Sequence, residues 1–499
     1  MHSSIFIRHG SLLAAFFACL AVVGFLQFSS PGMAGNDGYF HIAMASLVWE
    51  QGLSVAFPYL EFTLLDQEHF VDTHMLFHVF QSPFTVFLDL ESAAKLSSAI
   101  FVALAFSFFV WMLKQYNIPY PLFWALVLLA SSESFLYRMM MPRPPIFALL
   151  FTWLAFHFLM QRQFKLLALT TCVFVWTYKS FPILIPMALI AMVVFYVEKK
   201  TIDFKPLLAV IAGIAIGMVI NPSFPDNIFF LLNALRMKIF ADGFSTAVGN
   251  EWYPLKTLSL LKDAFIPLVA YIGGILLTNR GEWKTDPCRL FWFLLATMWL
   301  IMLFKSRRFI EFFPPAALLF FIYSIQPWAK QFSFAKLFQR RGLWLPVAVS
   351  VALFGAVVYH TVHGEYVRMQ KKTPVEAYQG GARWLADHTP AGSTVFHTDW
   401  DDFPRLFFHN RHNNYIVGLD PDYMRLKNAK LYKTWRNISK GRVKSPEDII
   451  LKTFGAEYVI TDKKHKRFRK IAKRSPRMEK VFSDRYTVVY HIRKVDDGA

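Results

Sequence analysis

Several stretches gather side chains able to move protons or hold anions. "GNDGYFHIAMA", residues 35–45, follows the first long apolar run and sets Asp37 and His41 four positions apart. At helical spacing the two share one face. A carboxylate beside an imidazole can serve as a base with an orienting partner, or as two ligands of a metal ion. "LLDQEHFVDTHMLFHVF" then crowds Asp66, Glu68, His69, Asp72, His74 and His78 among Phe and Leu. A solvated loop accounts for the acids but not for three histidines in an apolar setting. Such a cluster suits a general base or a divalent cation such as magnesium or manganese, with Asp37, Asp72 and His74 as the ligand candidates. No fixed metal signature such as HExxH occurs, so the sequence leaves the cofactor unassigned.

Arginines supply the opposite charge. "SFLYRMMMPRPP" carries Arg138 and Arg143, and "LFKSRRFIEFF" carries Arg307 and Arg308 beside Lys305. The planar guanidinium donates two parallel hydrogen bonds, which suits phosphate. Pairing with Glu133 or Glu311 would be the purely structural use. In "GNEWYPLK", Glu251 precedes Trp252 and Tyr253. An acid between a Gly-Asn turn and aromatic rings fits acceptor or sugar binding, and equally an interfacial aromatic belt. "FHTDWDDFPRLFFHN" places Asp399 and Asp401 around Trp400, either as an N-capped helix start or as an acceptor-recognition patch.

These stretches must be positioned by a membrane protein. Of 499 residues, 55% are hydrophobic, and apolar runs recur through the first three quarters. About eleven spans are expected, at 11–29, 93–114, 119–136, 145–161, 166–179, 183–197, 206–221, 263–279, 289–304, 313–328 and 343–362. The first is read as an uncleaved helix, because its apolar run exceeds a signal-peptide core. The 53 Lys and Arg against 34 acids lie mostly in short loops and a polar C-terminal tail, which argues against a nucleic-acid partner. The three cysteines fall in or beside apolar runs and match neither a disulfide framework nor a zinc site.

Basic residues set the orientation. With the N-terminus inside, inner loops hold Arg8, Lys114, Arg162, Lys199, Arg280, Lys284, Lys336, Arg340 and Arg341 among others. The first outer loop, 30–92, has eight acids and neither Lys nor Arg. Arg138, Arg143, Arg307 and Arg308 then fall on the outer side, against the rule, and need a compensating role. The expected domains are a transmembrane part, 1–362, and an extracytoplasmic α/β domain, 363–499. In the latter, "STVFHTD", "NNYIVGLD" and "AEYVITD" read as strands ending in Asp, separated by helical stretches. The Asp37 segment reads as an amphipathic helix at the outer surface, with Asn36 or Asp37 at its start and Gly52 past its end.

In this order the motifs resemble the GT-C superfamily of membrane glycosyltransferases, most of all the catalytic subunits of oligosaccharyltransferases. "NDGYFHIAMA" is similar to the family's first-loop Asp motif, and "DTHMLFHVF" stands where that loop ends. "YRMMMPRPPIFALLF" and "SRRFIEFF" stand in the places of its Arg segments, and "TDWDDFP" is similar to its soluble-domain Trp-Asp motif. The second acidic pair that the family uses for a metal is missing from "RMMMPRPP", and the Trp-Asp motif is not intact. The resemblance implies transfer of a sugar from a polyprenyl-phosphate-linked donor to a glycan, lipid or protein acceptor, with membrane lipids around the helices. It implies Asp37 as base with His41 near it, and Arg307, Arg308, Arg138 and Arg143 on the donor phosphate. It places Glu251, Trp252, Asp399 and Asp401 toward sugar or acceptor. The expected location is the bacterial inner membrane, multi-pass, with a periplasmic C-terminal domain. A lipid-linked glycan transporter or flippase, or a non-catalytic subunit of an assembly complex, are the rival readings. A transporter would line a path with charges deep inside its helices, and the sequence has almost none there.

Overall fold

The computed structural model describes residues 2–239, 249–278, 286–331 and 344–494. Arg280, Lys284, Lys336, Arg340 and Arg341 of the expected inner loops lie outside the described residues. A helix stands at each expected span. Among the described residues, five helices are long and apolar enough to cross a membrane: Gly10–Phe28, Leu90–Gln115, Phe181–Lys199, Pro287–Lys305 and Trp344–Gln370. Two bent pairs bring the number to seven, Pro121–Ala130 with Glu133–Met140 at 95° and Thr257–Asp263 with Phe265–Leu277 at 77°. Pro145–Met160, Phe164–Thr177 and Lys205–Val219 are shorter apolar helices.

The chain divides into two compact units. The first holds residues 1–34, 95–219 and 249–372, and the second 35–94, 220–248 and 373–499. In the first unit, close helix packing depends on small residues. A Cβ on Gly213 would come within 2.4 Å of Ala168 O, and one on Gly217 within 3.0 Å of Cys172 O. Trp176 Nε1 also donates to Gly217 O at 2.6 Å. The Phe164–Thr177 helix is thereby fixed, and with it Tyr178 at its C-terminal cap.

The second unit is built on a five-stranded sheet in the order β2-β1-β3-β5-β4. β1 (Thr394–His397) pairs in parallel with β2 (Asn414–Tyr415) and β3 (Tyr458–Asp462). The antiparallel hairpin of β4 (Met478–Ser483) and β5 (Thr487–Ile492) completes it. The first three strands match the sequence expectation; the hairpin was not anticipated. Its turn, "SDRY", lacks the usual Asn-Gly signal. Asp484 Oδ1 instead accepts from the amides of Tyr486 and Thr487. The helical stretch "YMRLKNAKLYKTWRNI" forms two helices, Pro421–Lys427 and Ala429–Ser439. Asn428 breaks the run and caps the second by accepting from Leu431 N.

The Asp37–Gln51 helix starts after Asn36 and ends at Gly52, φ +82, as the sequence indicated. It is not an amphipathic surface helix. Every residue from Gly38 to Ala45 is buried, and Phe40, Ala43, Met44 and Leu47 share a core with Leu385, Val395, Phe403, Leu406 and Val489. The first loop is therefore part of the core of the sheet unit. Lys427 reinforces this by donating to Glu61 O at 2.5 Å and Asp66 Oδ2 at 2.6 Å.

Candidate functional site

The expected site residues gather in two clusters, one in each unit. In the first unit, Arg138 lies in the last turn of the Glu133–Met140 helix, whose start Ser132 caps by accepting from Phe135 N. Arg138 Nε donates to Glu311 Oε1 at 2.6 Å, and its terminal nitrogen to Glu251 Oε2 at 3.1 Å. Arg143 donates to the same Glu251 oxygen at 3.2 Å. Arg308 donates to Glu251 Oε1 at 3.1 Å and to the Tyr178 hydroxyl, and its guanidinium lies 4.9 Å from the Trp252 ring centroid. Among the described residues, three arginines thus face two carboxylates.

Burial alone would raise the Glu251 carboxyl. The charges of Arg143, Arg308 and Arg138 overcome it and hold the group well below the usual carboxylate range. Two loops are clamped together here. Ser306 Oγ donates to Glu251 O at 2.8 Å, and Arg307 donates through its amide and Nε to Tyr253 O, and through a terminal nitrogen to Pro254 O at 3.3 Å. Arg307 therefore serves the backbone beside the cluster, whereas Arg308 serves the cluster itself. Sequence reasoning set Glu251 apart as a sugar or acceptor residue. The structure places it on the three arginines, across 57 to 113 residues of chain that no local pattern could bridge.

In the second unit the acids converge. Asn36, just before the Asp37 helix, donates through Nδ2 to Asp401, reaching its carbonyl and its Oδ1. Its Oδ1 accepts from Arg405 Nε at 3.2 Å. Arg405 also stacks 4.1 Å over the Tyr39 ring and donates to the carbonyls of Thr373 and Pro374. The helix start, and Asp37 with it, is thus tied to the Asp401 turn. Part of Asp401 stays exposed. Even so, desolvation by surrounding protein, and then the charge of Asp37, push its carboxyl up to about 6. Asp399 caps the short Trp400–Asp402 turn by accepting from Asp401 N, whereas Asp402, the acid before Phe-Pro at the start of the Phe403–His409 helix, makes no side-chain cap bond. Asp402 is buried and accepts from the Tyr378 hydroxyl at 2.5 Å. Burial, then the Asp399 charge, raise it well above the usual range. Asn36 and Arg405 were missed as site residues. Arg405 alone left a signal, as a charge inside the apolar helix "FPRLFFH".

His41 Nδ1 lies 2.8 Å from His78 Nε2, and His78 Nδ1 lies 2.6 Å from Asp72 Oδ2. His78 is fully buried and His41 is 5% exposed. The chain Asp72–His78–His41 fixes ring orientation, because a carboxylate on Nδ1 places the His78 proton there and leaves Nε2 to accept from His41. His74 packs edge-on to His41 at 5.1 Å between ring centroids, and Asp72 Oδ1 accepts from the His74 amide at 2.9 Å. Both Asp72 oxygens are thus engaged. Among the described residues no three His, Cys, Asp or Glu side chains are grouped to hold a metal ion. Asp37, Asp72 and His74 do not fit such a site as they stand, and no step is routed through a metal.

In fold, the chain is similar to solved structures of two membrane-protein types, an oligosaccharyltransferase and ArnT. The chain is similar to the archaeal oligosaccharyltransferase AglB from Archaeoglobus fulgidus, solved in complex with an inhibitory peptide and a dolichol-phosphate. Identity is 11% and the TM-score 0.66, over 94% of this chain and 71% of that one. The apo form of the Archaeoglobus fulgidus oligosaccharyltransferase gives 13% and 0.67, over 92% and 71%. ArnT from Cupriavidus metallidurans, bound to undecaprenyl phosphate, gives 15% and 0.58, over 97% and 98%. No protein-family profile and no curated protein matches the sequence.

Proposed function

We propose that this protein is a glycosyltransferase of GT-C type that moves a sugar from a polyprenyl-phosphate-linked donor to an acceptor at the outer face of the membrane. The observation that carries the reading is the cluster of Arg138, Arg143 and Arg308 on Glu251 and Glu311, a prearranged group of guanidinium donors. A guanidinium carries five N–H donors in a planar fork, a geometry that matches phosphate as well as carboxylate. A lipid-borne phosphate would accept from these donors, and the charge that develops as it leaves would be stabilised. The lipid phosphates bound to AglB and ArnT support this choice of ligand.

In the reaction, an acceptor hydroxyl or amide attacks the anomeric carbon opposite the phosphate and inverts it. The bond from that carbon to the phosphate oxygen breaks, its electrons leave with the lipid phosphate, and Asp37 takes the acceptor proton. His41, held by His78 and Asp72, orients this end, and Asp399 and Asp401 contact the acceptor. With the eleven spans expected from the sequence and the N-terminus inside, the sheet unit would lie in the periplasm of a bacterial inner membrane. The test is donor turnover. Purified protein is mixed with host lipid extract, and sugar loss from polyprenyl phosphates is followed by mass spectrometry. Loss with wild type and none with Asp37→Asn is the expected result. Intact donors with both, while lipid still co-purifies, would favour a transporter or an assembly subunit.

A further inference from the structure

Beside the acid cluster, where His465 Nε2 lies 3.8 Å from Asp399 Oδ2, the second unit contains a cleft of about 480 Å³. Five fixed cations line it, Lys440, Arg442, Lys464, Lys466 and Arg467, and no carboxylate does. His465 is also on its wall, but its Nδ1 is taken by Asp462 Oδ1 at 2.6 Å, so that nearby acid is already matched.

A solvated basic helix face would show exposed lysines and nothing more. Here the backbone is built around the cleft. Gly441 has φ +62, and a Cβ there would come within 2.9 Å of the Arg467 backbone carbon. The turn after the Ala429–Ser439 helix therefore rests on the first turn of the nine-residue Lys466–Arg474 helix. At that helix start Lys466 N donates to Lys464 O at 2.8 Å and Arg469 N to His465 O at 3.1 Å, Asp462 Oδ1 accepts from the amides of Lys464 and His465, and the helix dipole adds positive potential at the same end. Ser439 supplies an independent sign. It lines the cleft, it is 5% exposed, and its buried hydroxyl has no hydrogen-bond partner among the described residues. A buried hydroxyl without a partner needs an explanation, and an unfilled ligand position is one. The crowding of cations is felt locally. Desolvation, then the charges of Arg436 and Arg442, push the Lys440 ammonium down.

We infer that this cleft binds a phosphate group, held between the Lys466–Arg474 helix start and the basic residues of the 439–442 turn. A small diphosphate-class anion and the headgroup of an anionic phospholipid share that chemistry. Neither source depends on the glycosyltransferase reading.

The experiment uses the full chain in phosphatidylcholine nanodiscs and reads lysine acetylation rates by mass spectrometry. Lys440, Lys464 and Lys466 report the cleft, and the exposed Lys473 and Lys480 serve as references. One arm titrates inorganic pyrophosphate; the other replaces part of the lipid with phosphatidylglycerol. Occupancy at about four times Kd should slow the cleft lysines about fivefold. Slowing confined to them in the first arm supports a soluble phosphate ligand, and slowing confined to them in the second supports a headgroup. Equal slowing at Lys473 and Lys480, or none in either arm, overturns the proposal. Arg467→Gln, a change at an exposed side chain, should remove the protection and leave the reference rates unchanged. Full protection in that variant would also overturn it.

Discussion

The two clusters solve opposite electrostatic problems. Around Glu251, opposite charges meet at 3.1 to 3.2 Å, and the carboxyl is held ionised against its own burial. Around Asp401, burial first and then neighbouring like charges push the carboxyls of Asp401 and Asp402 toward the protonated form. The first arrangement keeps charge in place and suits holding an anion. The second makes a proton cheap to exchange near neutral pH and suits handling one. A reaction that breaks a bond to phosphate and removes an acceptor proton needs both. The contrast is therefore the main physical support for the proposed function, and it can be broken from either side.

The largest effect is expected from Asp37→Asn. Removing the base should lower turnover by roughly 10²–10⁴ while donor binding stays within about twofold. Single-turnover kinetics alongside equilibrium binding of labelled polyprenyl phosphate measure the two separately. A loss of binding that matches the loss of turnover would move Asp37 out of the proton-handling role. The arginine cluster should behave in reverse. Arg308→Lys keeps the charge but loses the planar fork, the Trp252 stack and one of its two partners. It should weaken donor binding by about tenfold, as loss of a charge-assisted hydrogen bond of about 1.5 kcal/mol implies. Turnover at saturating donor should change less. Unaltered donor affinity would mean that Arg308 only holds Glu251.

A smaller effect is expected from His78→Asn, which shortens the link between Asp72 and His41 without emptying the site of hydrogen-bonding groups. If the chain orients the Asp37 end of the site, turnover should fall by roughly threefold to tenfold with donor affinity unchanged, and the pH profile of turnover should move. A fall in thermal stability with an unmoved pH profile would assign His78 to packing alone.

How much of this could be read beforehand depends on the range of the contact. The Asp37 helix, its Gly52 stop and the first three strands follow from local patterning, and so does a helix at each apolar run. The hairpin of β4 and β5 escaped notice because its turn uses Asp484 instead of a glycine, and because β4 is an edge strand with exposed Glu479 and Lys480. The burial of the Asp37 helix was hidden for a different reason. Phe40, Ala43 and Leu47 looked like one apolar face, whereas their partners, Phe403 and Leu406, lie more than three hundred residues away. In the site, residue types were legible but partners were not. Glu251 was singled out for its aromatic neighbours and not for arginines over a hundred residues upstream. Asn36 looked like a plain cap, yet its side chain forgoes capping and reaches Asp401.

That Asn36–Asp401 contact supports the subtlest test of the contrast. Asp401 stands near 6 against an ordinary 3.8. Between those values the folded chain binds more protons than the unfolded one. The contribution of Asp401 to stability is therefore fully present below 3.8 and lost as pH rises through 6. At neutral pH, wild type carries a charged Asp401 beside Asp37, whereas Asp401→Asn carries none and can still accept from Asn36. The variant should melt higher at pH 7.5, by about 1–2 °C given the chain's size and the side chain's partial exposure. The gap should close by pH 4. His397 titrates oppositely. Burial pushes it down to about 4, so its contribution is present above 6.5 and lost as pH falls through 4. It is common to both proteins and cancels in the difference. Thermal unfolding of the pair from pH 4 to 8 reads this directly. A gap independent of pH would mean that neither burial nor Asp37 raises the Asp401 carboxyl in the folded chain. A wild type that is the more stable at pH 7.5 would mean that the charged carboxylate is held by partners, as Glu251 is, and the contrast between the two clusters would fall.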